Sequence, residues 1–260
     1  MPFATLLLRA LRRHWPYYLV EAAGLMAFIV FSGVATVMCL HPDSAVARAL
    51  GPHKWVQRLG VGLIVGSLVA AMASSPWGKR SGAHFNPAVT LGFWQLGHIR
   101  TADAVWYVVA QFVGAVVAGV GIYWLLAPWF GYPAVHYNTT RPPDEAYGWV
   151  IALGAETVIS GALMLVMLRS LHSAFLKQWT GTLVGLLLAL FVVVEAPLSG
   201  MSLNPARTLG SAIPAGGSPG LWLYFLGPLG AMWAMAAVYG RWRRRRPPTE
   251  RPPVYPDCAA

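Results

Sequence analysis

Six long apolar runs alternate with short polar stretches along the chain, at roughly residues 17–40, 56–75, 102–127, 148–169, 179–197 and 220–240. Each is close to or above the ~20 apolar residues that cross a bilayer as a helix. Two shorter apolar stretches, roughly 86–97 and 204–213, follow the second and fifth runs. Neither is long enough to cross alone. Short hydrophobic segments at matching places in two halves predict a re-entrant pair meeting near the midplane. The pattern therefore predicts an all-α membrane protein of six transmembrane helices plus two re-entrant half-helices.

Composition sharpens this reading. The 260 residues are 57% hydrophobic and 11% charged, against about 25% charged in soluble domains. So few charges leave lipid as the solvent. Six spans use most of the length, which predicts an N-terminal segment over 1–16, one membrane domain over 17–240, and a basic, Pro-rich tail over 241–260. The run following Arg9, Arg12 and Arg13 is longer than a signal-peptide core and lacks a small-residue cleavage site, so it is read as a retained first span. Cys39 and Cys258 provide neither a disulfide framework nor a metal cluster. The net charge of +10 does not indicate nucleic acid. Arg241, Arg243, Arg244, Arg245 and Arg246 directly follow the last apolar run, where a cytoplasmic anchor faces anionic headgroups.

Basic residues also predict orientation. With the N-terminus inside, fourteen of the nineteen Lys and Arg fall on the cytoplasmic side, including Lys79, Arg80, Arg100, Arg169 and Lys177. Arg48, Lys54, Arg58, Arg141 and Arg207 fall outside. Both termini are thus expected in the cytoplasm, with the protein integral to a plasma or inner membrane.

The chain repeats itself at an offset of 118 residues: Ala83-His84-Phe85-Asn86-Pro87-Ala88-Val89-Thr90-Leu91-Gly92 parallels Met201-Ser202-Leu203-Asn204-Pro205-Ala206-Arg207-Thr208-Leu209-Gly210. Gln111 to Ala115 echoes Gly227 to Ala231, and Glu21 is matched by Glu156. The halves are roughly 17–127 and 148–240. Each contains three spans, an odd number, so the second half lies inverted relative to the first and the short helices enter from opposite faces. Asn is a favoured N-cap and Pro a favoured first helical residue, so each Asn-Pro-Ala starts a helix. A buried helix start presents free N–H groups and partial positive charge. Two of them facing each other disfavour cations and hydronium, while Asn86 and Asn204 can donate hydrogen bonds to a passing oxygen.

From Glu21 to Tyr239 this arrangement resembles the aquaporin (major intrinsic protein) family, and the strings Ser81 to Thr90 and Asn204 to Arg207 are similar to its signatures almost letter for letter. The resemblance implies a right-handed bundle with a pore between the halves, a homotetramer, and passive passage of water and small neutral solutes. It also implies proton exclusion of the aquaporin type, by half-helix dipoles and an arginine. Arg207 looks like the arginine of the outer constriction. Counting by the family's spacing adds Met201, then Val192 where strict water channels usually carry His. The last position falls on Gly66 or Val65, where an aromatic is usual. Val and Gly or Val would widen and dry the constriction, with the flexible Met201 refilling part of it. Thr208, where glycerol facilitators carry Asp, together with Ala212 and Tyr224-Phe225, instead resembles water channels. An atypical aquaporin is expected, with a glycerol or small-neutral-solute facilitator as the alternative.

Two acids within spans also fit a proton relay, which makes a proton-coupled transporter the rival, and a closed structural membrane protein is a second. Symmetric placement favours a structural role in which Glu21 and Glu156 accept N–H bonds from the re-entrant loops, as the resemblance also implies. Glu195 has no counterpart and is expected to reach water. His84 is read as a loop brace, with no metal ligand at a suitable spacing. No cofactor is called for, and no nucleophile constellation suggests an enzyme. Gly114, Ala115, Ala118, Gly119, Gly161, Gly185, Gly230 and Ala231 are read as internal helix packing. Asn138-Thr139-Thr140 has the form of a glycosylation acceptor by chance. The tail from Pro247 to Ala260 is expected to be disordered.

Overall fold

The computed structural model describes residues 2–244, and Cys258 and most of the basic, Pro-rich tail, including Arg245 and Arg246, lie outside the described residues. The first half comprises α1 (Phe3–Leu40), the short α2 (Ala45–Leu50), α3 (Lys54–Ser74), the one-turn α4 (Pro76–Ser81), α5 (Pro87–Gln95) and α6 (Thr101–Phe130). The second comprises α7 (Gly148–Leu171), α8 (Thr180–Val194), the four-residue α9 (Ala196–Ser199), α10 (Pro205–Ala212) and α11 (Leu223–Arg244). Among the described residues six helices are long and apolar enough to span a membrane: α1, α3, α6, α7, α8 extended back to Lys177, and α11. Near their ends stand exposed tryptophans, among them Trp55, Trp124, Trp149, Trp179 and Trp222, the girdle expected where amphipathic rings sit at headgroup level. The first span is longer than its apolar run, because helix already begins at Phe3 and carries Arg9, Arg12 and Arg13 within it.

The packing follows the internal repeat. In the first half α1 lies along α6, and in the second α7 lies along α11. The half-helices cross over, with α5 packing on α11 and α10 on α6, while α3 and α8 meet each other. Close approach at these seams depends on missing side chains. A Cβ on Gly66 would stand 2.3 Å from the Gly185 carbonyl oxygen, and one on Gly185 would stand 2.3 Å from that of Gly66. Gly114 abuts the Ala22 carbonyl and Gly119 that of Gly210, so small residues bring these helix backbones into contact. Gly230 differs from the packing expectation, because a Cβ there would meet nothing within 4 Å.

Candidate functional site

Each half-helix is started by the residues the sequence singles out. Asn86 Oδ1 accepts from Ala88 N at 2.8 Å, and Asn204 Oδ1 accepts from Ala206 N at 3.1 Å, with Pro87 and Pro205 in the first turn. The side-chain amides then cross between halves. Asn86 Nδ2 donates to the Leu203 carbonyl at 2.8 Å, and Asn204 Nδ2 donates to the Phe85 carbonyl at 2.7 Å. A side-chain amide has two N–H donors, so one is used by this brace and the second remains for another oxygen.

The loops leading into the boxes turn sharply. Gly82, Ala83 and Phe85 have φ of 88°, 50° and 45°, and Gly200, Met201 and Leu203 have 83°, 56° and 60°. Left-handed backbone at a non-glycine residue costs of order 1–3 kcal/mol and persists only where the surroundings hold it. Here the holders are carboxylates. Glu21 accepts from Ser81 Oγ at 2.8 Å, His84 N at 3.1 Å, Phe85 N at 2.6 Å and Gln111 Nε2 at 2.8 Å. Glu156 accepts from Ser199 Oγ at 2.7 Å, Ser202 N at 2.6 Å and Leu203 N at 2.8 Å. Tyr107 and Tyr224 hydroxyls complete the symmetry, donating to the Ser81 and Ser199 carbonyls at 2.6 Å each. Both carboxylates are fully buried and line neither of the cavities beside the boxes. His84 joins its loop to α5 through Thr90 Oγ1 at 3.1 Å and stacks on Phe93. No cluster of three or more potential metal ligands occurs among the described residues.

Two cavities flank the boxes. One, of about 650 Å³, opens at the end where α3 finishes and α8 begins, and is lined by Val69, His84, Asn86, Leu188, Leu203 and Asn204 among others. The other, of about 380 Å³, opens at the opposite end and is lined by Arg58, Val65, Asn138, Val192, Met201 and Arg207 among others. Phe28 of α1 lines both, which places it between them. Val65 therefore faces the second of these cavities, while Gly66 faces α8 and serves the helix seam.

Sequence reasoning missed two residues here. Phe28 carries no motif and is one of many apolar residues in its span. Asn138 sits in a run of left-handed residues with His136 and Tyr137, a conformation that short polar side chains tolerate best. Its Oδ1 accepts from Thr36 Oγ1 at 3.1 Å and from Arg207 Nη2 at 3.3 Å, and its Nδ2 donates to Ser32 Oγ at 2.9 Å. The long connection between α6 and α7 thereby reaches the arginine, which pattern alone does not reveal. Glu195 corrects an expectation. It is only 3% exposed, and neither carboxylate oxygen has a hydrogen-bond partner among the described residues. Glu156 of α7, Ser199, Met201 and Arg207 of α10 lie around it.

Six spanning helices, an inverted repeat and two half-helices meeting between two cavities define a membrane channel rather than an enzyme. A family model described as major intrinsic protein matches residues 12–239, and the chain belongs to that family. It is 34% identical over 221 residues, covering 84% of this chain and 94% of the relative, to the glycerol uptake facilitator protein-like 6 of Lactiplantibacillus plantarum. Among solved structures it is similar to the aquaglyceroporin from Plasmodium falciparum, with a TM-score of 0.67 and 22% identity, covering 88% of this chain and 95% of that one. At that identity the likeness concerns the fold.

Proposed function

We propose that the chain is a passive, bidirectional channel for water and small uncharged solutes that excludes ions and protons. The observation carrying this reading is the lining of the outer cavity, where Val65, Val192 and Met201 share the wall with Arg207. A permeant there meets apolar surface together with one fixed cation. Water passes such a wall, and so does a polyol that turns its carbons to the valines and its hydroxyls to the guanidinium. Beyond it, the free N–H of each boxed asparagine offers the next donor. The starts of α5 and α10 add positive potential at the same level, which opposes cations.

A second reading, a facilitator of glycerol or similar solutes with little preference for water, is supported by the absence of His and an aromatic at the Val192 and Val65 positions. The name of the Lactiplantibacillus relative points the same way. We assign both termini to the cytoplasm on the basic residues of α1 and α11, and a homotetramer on family resemblance. Stopped-flow light scattering on proteoliposomes tests the reading. Fast shrinkage under an impermeant osmolyte and re-swelling in glycerol are expected. Substituting Val192→His together with Val65→Phe should abolish the re-swelling and keep most of the water flux. If glycerol re-swelling survives both substitutions, the constriction lies elsewhere.

A further inference from the structure

At the face where α1 begins and α11 ends, a separate cavity of about 350 Å³ opens between the ends of α5, α7 and α11. Arg241, Arg243 and Arg244 line it with His98, His172 and Tyr239, and none of its lining residues among those described is acidic. The imbalance extends across the face. Among the described residues the only acid there is Asp103, and it is already engaged by His14 Nδ1 at 2.7 Å and Tyr18 Oη at 2.6 Å. The same face carries Arg9, Arg12, Arg13, Lys79, Arg80, Arg100, Arg169 and Lys177 as well as the three arginines of the cavity.

The interior of the cavity is arranged by hydrogen bonds. His172 Nδ1 donates to the Leu168 carbonyl at 2.5 Å, which leaves Nε2 unprotonated to accept from Arg243 Nη1 at 2.6 Å. Arg243 is thus steered toward the cavity wall. Burial, with the Arg243 guanidinium nearby, pushes His98 down to about 4. Burial also lowers His172. Both rings are neutral at pH 7, and the positive charge belongs to the arginines. Arg241 and Arg244 are exposed and stand three residues apart on α11, so they share a helix face at the cavity mouth. Guanidinium forks match phosphate oxygens in pairs. The cavity also lies beside Trp242, over which Arg169 stacks at 4.6 Å, at the depth where interfacial aromatics sit.

We propose that this cavity is a binding site for a phosphate group, with Arg241, Arg243 and Arg244 as its ligands. A membrane lipid headgroup and a free phosphate ion share that chemistry. The site is separate from the permeation route and does not depend on what the channel passes.

Native mass spectrometry of the full chain in detergent tests it, with phosphatidylglycerol and phosphatidylcholine titrated separately, alongside melting temperature measured with inorganic phosphate. The test variant is Arg241→Gln with Arg244→Gln, which keeps the Arg243–His172 bond. The control is Arg9→Gln with Arg12→Gln and Arg13→Gln, which removes charge from the same face outside the cavity. Monodisperse elution and an unchanged melting temperature without ligand verify that each variant is folded. Wild type should prefer phosphatidylglycerol, the test variant should bind it about fivefold more weakly for each arginine removed, and the control should bind like wild type. Phosphate raising the melting temperature of wild type but not of the test variant identifies the free ion as a ligand. Lipid binding with phosphate silent identifies the headgroup. Equal losses in test and control variants, a test variant that binds like wild type, or no binding of either probe overturns the proposal.

Discussion

Asn86 and Asn204 each tie down the loop that precedes the other. The first donates to the Leu203 carbonyl at 2.8 Å and the second to the Phe85 carbonyl at 2.7 Å. The same two side chains cap α5 and α10. Helix start and inter-half brace are therefore one structure, and the two halves cannot be perturbed separately at this point.

Replacing Asn86 by Ala removes a cap, worth about 0.5–2 kcal/mol, and a buried hydrogen bond, worth about 0.5–1.5 kcal/mol. The same holds for Asn204→Ala. Because both braces hold the same junction, the double variant should cost less than the sum of the singles. A coupling of about 0.5 kcal/mol or more is expected, read from unfolding in detergent. Strict additivity would mean that the braces act independently.

Glu21→Gln separates a structural acid from a proton carrier. A Gln places an NH₂ where the carboxylate accepts from backbone and side-chain donors, so one N–H of the loop loses its partner at a cost of roughly 1–3 kcal/mol. The expected result is a lower melting temperature and reduced water flux, with no dependence on an imposed pH gradient before or after substitution. Well-folded protein that loses only a pH-driven uptake would instead identify a proton-coupled transporter.

Much of this was legible in the chain. Six runs and two short stretches predict the eight principal helices, since apolar length is a strong signal when lipid is the solvent. The repeat around Asn86 and Asn204 predicts their pairing, because two identical helix starts in inverted halves must face each other. Glu195 was not legible. Its burial depends on the fold bringing Glu156 and Arg207 beside it, which is a tertiary matter. Nor was Asn138, whose contact with Arg207 depends on the path of a long connection. Val65 and Gly66 could not be separated by counting, because the turn at Pro76–Ser81 sets the register between α3 and the first box.

Those two positions now behave differently. Gly66→Ala forces a Cβ against the Gly185 carbonyl oxygen, only 2.3 Å away. It should cost roughly 1–3 kcal/mol and reduce yield of folded protein. Val65→Ala should fold and pass larger polyols faster, as measured by re-swelling in erythritol. The opposite pattern would exchange the roles assigned to the two residues.

Arg207→Val should open the channel to protons. With an effective dielectric of about 20, a unit charge a few ångströms from the path opposes a cation by about 2–4 kcal/mol. Loss of the charge should raise proton leak roughly tenfold or more, recorded with a pH-sensitive dye inside proteoliposomes. Unchanged leak would assign exclusion to the two helix starts alone.

The proposed function is passive passage of small neutral molecules with protons held back. It is tested most directly by following volume and internal pH in the same proteoliposomes under an osmotic step, a glycerol step and an imposed pH gradient. Fast shrinkage is expected, with re-swelling in glycerol at a rate independent of the gradient and a gradient that decays no faster than in protein-free vesicles. Background shrinkage from folded protein, or glycerol uptake that follows the pH gradient, would contradict it.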